Sequence, residues 1–241
     1  MKYLICNLKA NKTYEEILEY KEELQKTDKE NLNFILAPSN IYLPLFKNEN
    51  VLLSVQDISL NDDLHLTGDI SSNQLKSLNV KYALIGHYER RKYYNEKESI
   101  LRKKIDICLK NNIKVIYCIG ETLEELNRKV EYQVLEKELS NVLNYIPKEQ
   151  FKNIIIAYEP GYLIGSNTIH DLNKINEMIS FIKKLIKDYY NEEIDVVFGG
   201  NVNENNIEAL KKLKIIDGFL IGTSSLNPSN IKQIITKSTV L

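Results

Sequence analysis

Two kinds of segment alternate along the chain. The first is short, apolar and rich in Val, Ile and Tyr, the pattern of strands buried on both faces. Residues 2–7, 34–37, 51–56, 82–86, 114–118, 153–158, 195–198 and 218–221 fit it. The second is longer and amphipathic. Over 121–140 its apolar positions are Leu123, Leu126, Val130, Val134 and Leu139; over 171–190 they are Leu172, Ile175, Ile179, Ile182, Ile186 and Tyr189. Steps of mostly three and four put each set on one helical face. Residues 40–47 predict only a short helix, and a long loop precedes Ser71.

Eight strand-like segments in 241 residues leave about 30 residues per unit, the size of a βα repeat. No Pro/Gly-rich linker or charge block divides the chain, so residues 1–241 read as one α/β domain. The alternation permits a closed (β/α)8 barrel or an open doubly wound sheet. The even spacing favours the barrel, and no GxGxxG follows the first strand to support a dinucleotide-binding sheet.

Composition narrows the function. Apolar residues make up 43% of the chain, enough for a sizeable core. Lys plus Arg number 32 against 33 Asp plus Glu, which argues against a polyanion-binding surface spread over the protein. Cys6, Cys108 and Cys118 form no CxxC and no zinc spacing, as expected in a reducing compartment. No apolar run approaches the roughly 18 residues of a membrane span, and the start of the chain is too broken for a signal peptide. These features point to the cytoplasm, with no nucleic-acid or membrane partner.

Candidate chemistry gathers where the predicted strands end. Gly86, Gly120, Gly165, Gly199, Gly200 and Gly222 all fall at or just after strand C-termini, the face on which barrels build their sites. The first strand ends in Asn7-Leu8-Lys9, and a lysine in a barrel mouth needs an anionic partner. The fourth ends in Gly86-His87-Tyr88-Glu89-Arg90-Arg91, where His87 could polarise a carbonyl or shuttle a proton. Arg90 and Arg91 read as structural ion-pair partners. Cys118 and Cys108 read as core thiols, and Glu121 as a carboxylate opening a helix. The sixth strand ends in Tyr158-Glu159-Pro160, a carboxylate before a stiff backbone that suits a general base. The stretch that follows is apolar in the middle and flexible at its edges, like a lid. Glycines after the seventh and eighth strands suit a phosphate site made of backbone N–H groups.

Seven blocks run through the chain in order: CNLKAN, LTGDIS, LIGHYERR, CIGE, AYEPGYLIG, FGGNV and GFLIGTSSL. In these the sequence resembles the triosephosphate isomerase family. The resemblance implies a (β/α)8 barrel that interconverts dihydroxyacetone phosphate and D-glyceraldehyde 3-phosphate, with no metal or organic cofactor. Glu159 matches the family's general base and His87 its neutral electrophile. Lys9 matches the cation that anchors substrate, Asn7 its polar neighbour, and Glu89 the carboxylate supporting the site beside the histidine. Gly165, Asn201, Gly222 and Thr223 match the phosphate cradle. Pro160, Gly161, Tyr162, Leu163, Ile164, Ser166, Asn167 and Thr168 match the lid. Thr67, in LTGDIS, matches the loop tip that reaches into a second subunit, which implies a homodimer.

The chain departs from the family pattern at several points. Tyr88 stands where Ser is usual, Phe198 replaces a Tyr whose hydroxyl latches the lid, and Tyr162 replaces a lid Trp. Gly161 differs from the usual lid hinge, and Thr223 stands where a second Gly is usual. The resemblance further predicts a hydrogen bond from Tyr162 to Glu121 in the open lid. Two other functions stay open at this point: a different barrel enzyme for a small phosphorylated substrate, and a weakened barrel that only binds.

Overall fold

Eight parallel strands close on themselves in chain order: β1 (Tyr3–Asn7), β2 (Asn33–Ala37), β3 (Leu52–Val55), β4 (Tyr82–Ile85), β5 (Lys114–Ile119), β6 (Ile154–Tyr158), β7 (Asp195–Phe198) and β8 (Gly218–Ile221). The expected (β/α)8 barrel is the architecture of this computed structural model, which describes residues 2–29, 32–62, 65–165 and 171–239. Closure is made by β1 on β8, with Leu4 opposite Phe219 and Cys6 opposite Ile221. The predicted strands all form, with ends shifted by a residue or two. Gly86, for example, has φ +78° and belongs to the turn after β4.

The two-sided burial of these strands has a simple geometric cause. Alternate residues point to opposite faces. Ile5, Ile35, Leu84, Ile116, Ala157, Val197 and Leu220 fill the barrel interior. Their neighbours Leu4, Leu36, Ile85, Val115, Ile156 and Val196 join the core between barrel and helices. Both faces are therefore apolar, and the segments read as continuous apolar runs. The alternation also fixes the top layer of the barrel. After Ile5 the next inward position is Asn7; after Ala157 it is Glu159; after Val197 and Leu220 it is Gly199 and Gly222.

The outer layer comprises α1 (Tyr14–Gln25), α2 (Ser72–Ser77), α3 (Tyr88–Tyr94), α4 (Glu98–Lys110), α5 (Leu123–Asn127), α6 (Glu131–Leu143), α7 (Leu172–Tyr190), α8 (Ile207–Leu210) and α9 (Pro228–Thr239). The second unit carries only a 3₁₀ segment, Asn40–Phe46, in line with the short helix predicted there. α7 buries Ile175, Ile179, Ile182 and Ile186 as its periodicity requires. Tyr189, read as part of that face, is exposed, and Tyr190 is buried in its place.

One predicted helix is corrected. Residues 121–140 are not a single helix but α5 and α6, separated at Lys129, whose φ is +57°. Thr122 caps α5 through a reciprocal pair with Glu125. Leu123, in phase with the apolar stripe, is exposed. Among the described residues no helix is long and apolar enough to cross a membrane. The three cysteines are buried and unpaired.

Candidate active site

Asn7, Lys9, His87 and Glu159 come together in one cleft at the C-terminal end of the barrel. Ile164, Gly165, Asn201, Gly222 and Thr223 line the same cleft. Five chain segments, at the ends of β1, β4, β6, β7 and β8, thus deliver the predicted residues to one place.

Glu159 is 3% exposed, and Oε2 lies 3.3 Å from His87 Nε2. Oε1 is buried and has no hydrogen-bond partner. The carboxylate is confined by close backbone approaches. A Cβ on Gly120 would stand 2.1 Å from the Glu159 carbonyl oxygen, and one on Gly199 would stand 2.6 Å from Glu159 Cγ. Glycine at these two positions is what lets an inward glutamate fit above the barrel core. Cys118 lies in the interior layer. Burial, and then the neighbouring Glu159 charge, push its thiol well up, so it is no nucleophile.

His87 is the N-cap of α3, and its Nδ1 accepts the Glu89 backbone N–H at 3.3 Å. A neutral ring that accepts at Nδ1 carries its proton on Nε2, the atom facing Glu159. Glu89 adds a second link: its Oε2 is 3.6 Å from His87 Nδ1, and its Oε1 takes the Lys9 ammonium at 2.5 Å. Lys9, Glu89, His87 and Glu159 form one run of adjacent polar groups across the mouth.

The Lys9 backbone is held in the left-handed region at φ +53°. Such a conformation costs a non-glycine residue of order 1–3 kcal/mol and persists only when its surroundings fix it. Its N–H donates to Asn7 Oδ1 at 3.0 Å, and its carbonyl accepts from Gln56 Nε2 at 2.9 Å. Gln56 also reaches the Ala37 carbonyl. Gln56 is a further functional residue; its signal in the sequence is a long polar side chain ending a largely apolar strand at the active face.

Arg90 and Arg91 are structural, as expected. Arg90 pairs with Glu96 and Asp57, which also hold the buried Lys104. Arg91 donates to the carbonyls of Gly86 and Cys118 and pairs with Glu98 and Glu138. Glu138 in turn accepts the Gly120 N–H. The backbone beside His87 and the backbone beneath Glu159 are tied through one guanidinium.

Glu121 is corrected. It precedes the α5 cap and is fully buried, so the helix dipole does not account for it. The Tyr158 hydroxyl donates to its Oε1 at 3.0 Å, and its Oε2 has no partner. In this structure it is Tyr158, not Tyr162, whose hydroxyl donates to Glu121. The Glu121 carbonyl also accepts the Gly161 N–H at 2.8 Å.

Of the segment expected to form a lid, residues 160–165 are described. Leu163 is buried, its N–H bonded to the Pro160 carbonyl, and it packs over Gly200 beside Phe198. Ser166, Asn167 and Thr168 lie outside the described residues. Gly165 and Asn201 have positive φ, +70° and +50°, and Thr223 opens a 3₁₀ turn, Thr223–Leu226. The leading N–H groups of such a turn have no partner within it and can face an anion. Val202 and Ser224 also line the cleft and were missed. Thr67 is exposed in a loop pinned at its base by Ser59, and Leu60 and Leu66 of the same loop are exposed too.

Two wider clefts lie elsewhere, between α1 and the 3₁₀ segment and at the N-terminal end of the barrel. Lysine–carboxylate pairs such as Lys21–Glu49 and Lys183–Asp217 line them, without an imidazole. Among the described residues no cluster of His, Cys, Asp and Glu is arranged to hold a metal.

Fold and site together define a (β/α)8 barrel with a buried glutamate facing a histidine in a cleft at its C-terminal mouth. Comparison with known proteins gives the particular family. The triosephosphate isomerase family model matches residues 2–238. Triosephosphate isomerase of Ureaplasma parvum is 38% identical, over 98% of this chain and 99% of its own. That of Mycoplasma genitalium is 35% identical over 97% of both, and that of Clostridium botulinum 33% over 95% and 96%. The chain belongs to the triosephosphate isomerase family.

Proposed function

We propose that this single barrel domain, residues 1–241, interconverts dihydroxyacetone phosphate and D-glyceraldehyde 3-phosphate, in the triose steps of glycolysis and gluconeogenesis. The observation that carries the reading is the buried Glu159 carboxylate, which faces His87 Nε2 with one oxygen and leaves the other unpartnered. A substrate carbon acid set above Oε1 loses its proton to Glu159, and the carbonyl π electrons move onto oxygen to give an enediolate. The same carboxyl returns the proton to the adjacent carbon. His87 donates its Nε2 proton toward the developing oxyanion and serves the two oxygens in turn.

Lys9 supplies positive charge where the enediolate and phosphate are negative. To do so its ammonium exchanges Glu89 for substrate, while Glu89 continues to hold the His87 side of the site. Asn7 fixes the Lys9 backbone. Backbone N–H groups of Gly165, Asn201, Gly222 and Thr223 receive the phosphate, and the segment from Pro160 to Thr168 closes over it and excludes water. Nothing in this scheme requires a cofactor.

We place the protein in the cytoplasm as a homodimer in which the Thr67 loop enters a second copy, a role that its uncovered Leu60 and Leu66 support. Sedimentation as a 28.0 kDa species at micromolar concentration would refute the dimer. Turnover of D-glyceraldehyde 3-phosphate in an NADH-coupled assay tests the function. Rapid, metal-independent conversion is expected, and a folded protein without turnover would refute it.

A further inference from the structure

The ring of Tyr88 fills the space in which a side chain on residue 161 would lie. A Cβ placed on Gly161 would stand 2.6 Å from Tyr88 Cε2, 2.8 Å from Cδ2 and 3.3 Å from Cζ. Backbone conformation does not explain this glycine. Gly165 has a φ of +70°, in the region that side chains avoid, whereas Gly161 is outside that region. Gly161 is instead a glycine that has given up its volume to a ring from another loop. Gly161 is buried and Tyr88 half-buried, and the Lys92 ammonium, one helical turn on, lies 5.5 Å from the ring centroid.

The position of this contact gives it consequences. Tyr88 directly follows His87, and Gly161 follows Glu159 across a single proline. Pro160 has a fixed φ and transmits a displacement rather than absorbing it. The Gly161 N–H is anchored on the Glu121 carbonyl, and Gly199 leaves Glu159 Cγ little room on its other side. A push or a void at residue 161 is therefore felt at the Glu159 carboxylate. One shared volume accounts for both the ring at 88 and the missing side chain at 161.

We propose that Tyr88 is a positioning residue for the base: its ring replaces the side chain missing at 161 and sets where the Pro160–Gly161 hinge, and with it Glu159, comes to rest. The inference deepens the isomerase reading and rests on it. Removing the ring leaves a void above a glycine, the most permissive of hinges. Adding a branched side chain at 161 drives the ring away, against the few rotamers the first turn of α3 allows it. Doing both exchanges one filled volume for another.

The test is a double-mutant cycle of Tyr88→Ser and Gly161→Val, reading kcat, KM and Tm of the folded protein, with Gly161→Ala in reserve should the valine variant fail to fold. Each single substitution is expected to lower kcat about tenfold and leave KM within about threefold, while the double variant returns to within a few-fold of wild type. Losses that multiply in the double variant would overturn the proposal. So would recovery of Tm without recovery of kcat, since that is mere packing. Wild type that folds without turnover would refute the isomerase reading instead, and additive Tm losses would then still refute the shared volume.

Discussion

His87 Nε2 and Glu159 Oε2 stand 3.3 Å apart across the barrel mouth, one delivered from the end of β4 and the other from the end of β6. The imidazole takes a backbone donor at Nδ1, which fixes its proton on the side facing the carboxylate. The glutamate keeps Oε1 without a partner in a nearly dry site. In the proposed reaction such a pair would be assembled before substrate arrives, with little reorganisation left for the chemical step.

Gln56 should matter to the reaction without touching substrate. It is the donor on the carbonyl of Lys9, whose backbone is held at a positive φ. Gln56→Leu leaves that carbonyl without its donor, at a stability cost of about 1–3 kcal/mol. It also frees the lysine to leave its strained conformation. KM for the triose phosphate is expected to rise several-fold. Steady-state kinetics with KM unchanged would show that Lys9 is held by other means.

Arg91 should be worth more than a surface ion pair. It joins Gly86, Cys118, Glu98 and Glu138, and at a pH above the value of about 7 to which burial pushes the Glu138 carboxyl, its loss leaves that buried carboxylate without its cation. Removing one partner of a buried pair costs about 3–5 kcal/mol. Urea unfolding of Arg91→Ala should show a loss of that size. A loss below about 1 kcal/mol, typical of exposed pairs, would contradict it.

Glu121 predicts a pH dependence of stability. Burial pushes its carboxyl up from the ordinary 4.5, against the lowering effect of the Tyr158 hydroxyl. A carboxyl raised in the folded state holds its proton more tightly there than in the unfolded chain. Its stabilising contribution is therefore whole below 4.5 and is lost as pH rises through the folded value. Glu121→Gln removes the titration. The Tm values of wild type and variant should lie closest below pH 4.5, with wild type falling progressively behind as pH rises. A Tm difference that does not change with pH would contradict this.

Much of the site was legible because alternation along a strand is strict. Once Ile155 and Ala157 point inward, Glu159 must follow them, and the same count delivers Asn7 after Ile5. The split between α5 and α6 was not legible. Leu123 and Leu126 continue the spacing of a longer helix, and nothing local shows that Lys129 turns left-handed or that Leu123 faces solvent. Glu121 was misread for a related reason: its partners are Tyr158 and Gly161, both distant in sequence. Gln56 joins the ends of three strands, a relation that no single-segment pattern carries.

Turnover of D-glyceraldehyde 3-phosphate by wild type beside Glu159→Gln tests the central claim most directly. The amide preserves the shape of the side chain and removes its basicity. Fast turnover in wild type, falling by about 10²–10⁴-fold or more in the variant at unchanged Tm, is the predicted result. A variant that retains wild-type kcat would show that Glu159 does not move the proton.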